Sequence, residues 1–424
     1  MPERALPPGL CGQVARMSKS PGRQAAMPFI MVTVLLDMMS IGIISPVLPK
    51  LVGGFMDSGV STSLAYGAVQ VAFALAQFIS APILGALSDR YGRRPILLLG
   101  LLGMSVNFFA TALATEFWML LTVRVIGGIL CANVAVANAY VADITQPKDR
   151  ARHYGMLGAM FGMGFILGPI TGGLLGDHDV HWPFFLAGTL TLLNAIYGWL
   201  VLPESLPADR RRPFKLTQAH PLATLARLRQ LNGLEPLLWV IGLSTLAQFI
   251  LHTSWMLYTE FKFGWSPKDN GLSLFAVGVM AVIVQGGLLR QLQKTMPMHQ
   301  LVTIGLISST LAFAAYGAVP AGWMMYAVIV ANLFGYTVNP AIQSVVSNSV
   351  ESNRQGETMG AISSINSVAA VLGPLMGAPV LAAVSHYGAG DWRIGAPFYL
   401  CAGLQAIAAF IGISYFQQRR RAVA

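Results

Sequence analysis

The sequence predicts an all-α polytopic membrane protein with twelve transmembrane helices, and three observations carry that prediction. Of the 424 residues, 55% are hydrophobic and 10% charged, where an ordinary soluble domain carries about 25% charged residues. Apolar stretches recur along the chain, each long enough to cross a hydrocarbon core of about 30 Å as a helix. These runs are continuous and rich in Leu, Ala, Val, Met and Gly. A membrane barrel would instead show alternating segments of about ten residues.

In chain order the spans fall at 28–50, 64–87, 95–115, 117–141, 153–176 and 182–202, then at 236–261, 269–290, 299–319, 322–346, 357–385 and 394–416. Only Pro320, Ala321 and Gly322 divide the stretch from Leu301 to Val346, so eleven is the competing count. The implied organisation is an N-terminal arm at 1–27, a six-helix bundle at 28–202, a linker at 203–235, a second six-helix bundle at 236–416 and a basic tail at 417–424.

The basic residues test this map independently. With both termini in the cytoplasm, 22 of the 27 Lys and Arg fall on the cytoplasmic side; Lys50, Lys262, Lys268 and Arg393 fall outside and Arg124 within a span. That asymmetry orients the chain by the positive-inside rule. It also explains the net charge of +10 without nucleic acid, because arginines spread over short loops make no continuous patch.

Residues 1–27 are basic and Pro-rich, and the apolar run that follows is too long for a signal-peptide core. The segment therefore reads as an uncleaved cytoplasmic arm, with Met1, Met17 and Met27 all plausible starts. Cys11, Cys131 and Cys401 have no spacing that points to metal or disulfide chemistry. The linker carries Arg210, Arg211, Arg212, Lys215, Arg227 and Arg229 and reads as a solvated connection with at most one amphipathic helix on the membrane surface.

The segments that the linker joins repeat. Gly155, Gly168, Pro169 and Gly172 in span 5 recur at a constant offset of 205 as Gly360, Gly373, Pro374 and Gly377 in span 11, and PFFLAG from Pro183 recurs loosely as PFYLCAG from Pro397. Repeated halves suit a transporter whose substrate site lies at their interface and is exposed alternately as one half rocks against the other.

Between spans 2 and 3 the chain reads GALSDRYGRR, from Gly85 to Arg94. Gly85 allows close helix contact, Asp89 ends the helix, and Gly92 turns the loop beneath Arg90, Arg93 and Arg94. The segment resembles GxxxDRxGRR, the signature of the major facilitator superfamily. That resemblance implies the two-bundle major facilitator fold and a role for these residues in latching the cytoplasmic gate, with Asp143 as salt-bridge partner of Arg93 or Arg94.

Span 5 reads GFILGPITGG, with Gly164, Gly168, Pro169, Gly172 and Gly173. Glycines four apart make a smooth stripe for a neighbouring helix, and Pro169 bends the span. Within the superfamily the stretch resembles the pattern of proton-coupled exporters. LLDMMSIGIISPVLP from Leu35 and LPES from Leu202 resemble the tetracycline-efflux branch of the drug:proton antiporters. Where that branch has a carboxylate in span 3, a His in span 8 and a carboxylate in span 9, this chain has Asn107, Ala281 and Ser309. The substrate is therefore left open, tetracycline included.

Ionisable groups deep in spans cost about 2.5 to 3.5 kcal/mol each at a helix centre and mark function. Asp37 in span 1 is the leading proton carrier, the competing reading being a permanently paired carboxylate. Arg124, in RVIGG, resembles the family's RxxxG motif; it stays charged, and its expected part is to tune a carboxylate nearby, against a structural pairing. In span 7, His252 titrates near neutrality, Trp255 and Tyr258 offer rings for stacking, and Glu260 lies where external protons arrive. Belt aromatics, a hydrogen-bonded His and a Glu260–Lys262 pair are the competing readings. Gln77, Asn138, Gln248 and Asn339 are candidate polar groups of the substrate cavity.

No nucleophile elbow, zinc signature or phosphate loop occurs, and DHDVH from Asp177 to His181 reads as an outer loop. The chain is expected to be no enzyme, to need no cofactor or metal, and to work as a monomer in the inner (cytoplasmic) membrane. Its expected activity is to exchange an amphipathic small molecule for protons. A sugar or metabolite transporter and a non-transporting membrane receptor or enzyme are the competing functions.

Overall fold

A computed structural model describes residues 21–131, 133–145, 149–211, 235–348 and 355–423. Cys11, Met1 and Met17, most of the expected arm, and linker residues 212–234 lie outside them. Among the described residues the regular structure is entirely helical, as the continuous apolar runs require. Among these residues eleven helices are long and apolar enough to cross a membrane, and Gly322–Ala331 with Gly335–Val346, bent by 53°, passes the same test as a pair, giving twelve when the pair is counted as one span. Span 10 is thus broken rather than straight. The break falls at Asn332, whose side-chain oxygen accepts from Ser308 Oγ at 3.1 Å and whose carbonyl accepts from the Gly335 N–H at 2.9 Å.

Other spans carry local departures. The helix Pro21–Ile44 ends at a turn containing Pro46, which has no N–H to donate, and the short helix Leu48–Gly53 continues span 1 beyond it. Span 4 is interrupted at Cys131, between Phe117–Leu130 and Asn133–Ile144. Span 8 reaches Thr295 through a π turn at Val284–Leu288, the kind of bulge that collects at functional positions.

The glycine stripe of span 5 lies on span 1. A Cβ at Gly164 would sit 2.6 Å from the Leu35 carbonyl oxygen and one at Gly168 2.6 Å from that of Met39, while Gly172 meets Ile43. Only hydrogen permits this approach of two backbones. The related stretch behaves alike: Gly373 and Gly377 of span 11 lie against Phe249, Ile250 and Ser254 of span 7. The 205-residue offset therefore relates two helix pairs, each a fifth span against its own first.

Across the middle, span 2 packs on span 11 and span 5 on span 8. Gly67 meets Ala378, and a Cβ on Gly173 would lie 2.6 Å from the Pro267 carbonyl oxygen and 3.0 Å from the Gly271 Cα. These contacts belong to one end of the spans. Towards the other end Gly85, Gly155, Gly158, Gly162, Gly286 and Gly287 all face open space. Among the described residues these glycine contacts between the two halves therefore gather at the Lys50 end, away from Asp89.

Candidate substrate cavity and gate

Between the halves lies a cavity of about 350 Å³. Tyr66, Gln70 and Gln77 of span 2 line it from one side, and Gln248, His252 and Trp255 of span 7 from the other. Phe313 and Tyr316 of span 9, with Asn332 and Tyr336 at the bend of span 10, close the wall. Ring faces with a few amides and phenols suit a small organic molecule. His252 is exposed, and what it is exposed to is this cavity. Trp255 is held edge-on to Tyr316, with ring centroids 5.0 Å apart, and its Nε1 donates to Ser273 Oγ at 3.0 Å.

Asp37 and Arg124 are buried at 5% and 6% exposure, behind the wall rather than in it. The Asp37 charge acts on Cys131, whose carbonyl accepts from Gln77 Nε2 at 3.2 Å. Arg124 interacts electrostatically with Tyr66, whose hydroxyl accepts from Gln70 Nε2 at 3.1 Å. Among the described residues the Arg124 Nε and Nη2 have no hydrogen-bond partner. Each buried charge is one side chain away from a cavity-lining amide or phenol. Asn107 packs against Gly127 and donates to the Val123 carbonyl beside Arg124.

At the Asp89 end the GALSDRYGRR loop is tied to two other spans. Gly92 has φ +109°, a conformation that side chains resist, and the Glu204 carboxylate fills the space a Cβ would need. That carboxylate accepts from the N–H groups of Arg93 at 2.8 Å and Arg94 at 3.2 Å, an anion at the N-terminus of span 3 where the helix dipole favours it. Arg93 also pairs with Asp89 at 2.6 Å and Asp143 at 3.1 Å, and Ser205 donates to the same Asp143 oxygen at 3.2 Å. Arg94 donates to the Trp199 carbonyl at 2.6 Å, while Arg90 lies over the Tyr91 ring. Spans 2, 3, 4 and 6 are thereby joined at one knot.

The expected site residues separate into groups. Gln77, Gln248, His252 and Trp255 share the cavity wall. Tyr258 does not: it is fully buried, and its hydroxyl donates to the Tyr316 carbonyl at 2.6 Å, which places it in the core of the second half. The Glu260–Lys262 pairing is also absent. The Lys262 ammonium turns away, donating to Tyr258 Oη at 3.0 Å and the Gly317 carbonyl at 2.9 Å, and Glu260 lines a separate outer pocket. Asn138 and Asn339 are exposed and outside the cavity wall. Ser309 is buried beside Gly335, and Ala281 is half-buried on span 8. In the outer loop the N–H and ring of His181 hold the Asp179 carboxyl below its ordinary range. Among the described residues no His, Cys, Asp and Glu cluster could hold a metal ion.

Sequence reasoning missed Glu204, Tyr66, Gln70, Asn332 and Tyr336. Glu204 had a signal, a carboxylate just after span 6 in LPES, but nothing in its spacing indicates span 3 as its partner.

Comparison with known proteins agrees with this architecture. Residues 30–374 match the model of the Major Facilitator Superfamily. The chain is 35% identical over 376 residues to the tetracycline resistance protein, class C, of Escherichia coli, covering 88% of this chain and 94% of that one. To the class D tetracycline resistance protein of Salmonella ordonez it is 34% identical, covering 87% and 93%. Among solved structures, the human organic anion transporter MFSD10 superposes with a TM-score of 0.68 at 25% identity, covering 93% of this chain and all of that one. These matches bear out both the all-α transporter fold and the tetracycline-efflux resemblance of the motifs.

Proposed function

Since the chain belongs to the Major Facilitator Superfamily, we propose that it exports an amphipathic small molecule across the cytoplasmic membrane in exchange for protons, by alternating access. The observation that carries this reading is the cavity between the halves, walled by spans of both, with close glycine contacts between the halves towards one end. Relatives and fold are those of transporters, not enzymes.

The basic loops orient the Asp89 end, with both termini, to the cytoplasm. The conformation described is then the inward-open state that receives substrate. Gln77, Gln248 and Trp255, with Tyr66 and Gln70, hold the molecule, whose class the tetracycline resistance relatives suggest. Asp37 carries the exchanged proton. A dry, low-dielectric surrounding favours the neutral form of any carboxyl group, and contact with water or a cation favours the charged one. Arg124, buried beside Tyr66, is the cation that biases that switch. His252 takes part from the cavity wall, and Glu260 receives protons at the outer end. Gly85, Asp89, Arg90, Gly92, Arg93, Arg94 and Asp143 form the inner latch, and Gly164, Gly168, Pro169, Gly172 and Gly173 are the bearing between spans 5 and 1.

Expression in a host stripped of its own pumps tests the reading. The chain should raise the tetracycline concentration that stops growth and lower the drug retained in the cells. Unchanged growth and retention across a panel of antibiotic classes, tetracyclines included, would count against drug export.

A further inference from the structure

Beyond the central cavity, towards the Lys50 end, lies a second pocket of about 350 Å³. Its wall includes Pro46 and Lys50 from the first half and Met256, Glu260, Trp265 and Asn270 from the second. Met256 is 3% exposed and lines both cavities, while Ser45 lines the central one and its neighbour Pro46 the outer one. The partition is therefore a methionine side chain facing a helix break. At that break the backbone makes the short-range bonds Ser45 N–H to Gly42 C=O at 3.3 Å and Val47 N–H to Ile44 C=O at 3.1 Å. An unbranched thioether beside a proline turn can move aside without unpacking a helix.

The outer pocket is also charged in a specific way. Lys50 and Glu260 are both exposed and come from opposite halves. The Lys50 charge acts on the Glu260 carboxylate, yet among the described residues neither side chain makes an ion pair or hydrogen bond. Each charge thus keeps its directions free for a third party. The volume lies within the range of small-molecule sites, about 300 to 1,000 Å³.

We propose that this pocket is a second small-molecule site on the outward path, taking a zwitterion by an anionic group at Lys50 and a cationic group at Glu260, with Met256 as the plug between the two sites. The proposal rests on the export reading above. The molecule leaves the central cavity past Met256 and pauses between charges supplied by both halves. When the halves part on opening outward, those charges separate and the site dissolves, so release follows from the same movement that opens the exit. A carboxylate that holds a cation in one step can hold a proton in the next, so this role is compatible with proton receipt at Glu260.

Equilibrium dialysis of radiolabelled tetracycline, a zwitterion at neutral pH, against the purified full-length chain tests the site. The wild type should bind two molecules per chain, and Lys50→Gln and Glu260→Gln one each, the retained central site reporting that each variant is folded. Gln248→Ala should weaken the central site and leave the outer one. A tetracycline analogue lacking the dimethylamino group should bind the wild type once. A wild-type stoichiometry of one, or two in both Gln variants, overturns the second site while leaving the export reading intact. A stoichiometry of zero overturns the second site as well, and the export reading falls with it only where the growth panel is also unchanged.

Discussion

Gly168 of span 5 and Gly42 of span 1 meet backbone to backbone. A Cβ added at Gly168 would lie 2.7 Å from the Gly42 Cα, and one added at Gly42 would lie 3.0 Å from the Gly168 Cα. The contact lies on the same helix pair as Asp37, so the bearing and the proposed proton carrier share span 1. Gly168→Val should cost about 1 to 3 kcal/mol through overpacking. We expect a lower thermal midpoint in detergent together with loss of transport; Gly168→Val with wild-type stability would contradict the contact.

Asp37→Asn should uncouple the cycle without unfolding it. An amide of the same shape cannot exchange a proton, so uphill drug movement should vanish, while binding and downhill exchange of labelled for unlabelled drug persist. Export by the variant at the wild-type rate would remove Asp37 from the proton path.

Glu204→Ala removes the acceptor shared by the Arg93 and Arg94 N–H groups. Losing a helix N-terminal cap costs about 0.5 to 2 kcal/mol. The variant should lose stability by that amount in denaturant titration, and transport should fall further than drug binding does. Equal stability of variant and wild type would mean that the knot at Gly92 contributes nothing.

Trp255→Ala and Trp255→Phe should separate packing from recognition. Trp255 is 2% exposed and is held by Ser273 and Tyr316, and truncating a buried Trp costs about 3 to 5 kcal/mol. The alanine variant should accumulate poorly in the membrane. The phenylalanine variant should accumulate well and bind drug more weakly, as read by equilibrium dialysis.

Features that leave a compositional mark were legible in the sequence. Continuous apolar runs and sorted arginines report the solvent of each segment, and the Gly164 stripe reports a close backbone approach because any larger residue would forbid it. The bend at Asn332 left a weaker mark: Asn332, Gly335, Asn339 and Pro340 interrupt the run from Trp323 to Val346, yet its hydropathy as a whole remains that of a span. Trp255 and Tyr258 lie three residues apart and share a helix face in any periodicity argument. Nevertheless one reaches the cavity and the other bonds to the Tyr316 carbonyl, because the end of span 9 stands over Tyr258. Tyr66 and Gln70 were hidden for the same reason: which side of span 2 faces the cavity depends on spans distant in sequence.

The account stands most directly on whether drug and proton move together. In inverted membrane vesicles energised to an acid interior, tetracycline added outside should be accumulated and should discharge part of the proton gradient, read by a pH-sensitive dye. Both signals should be absent with Asp37→Asn. Vesicles in which tetracycline neither enters nor discharges the gradient, while a sugar or metabolite does both, would contradict it.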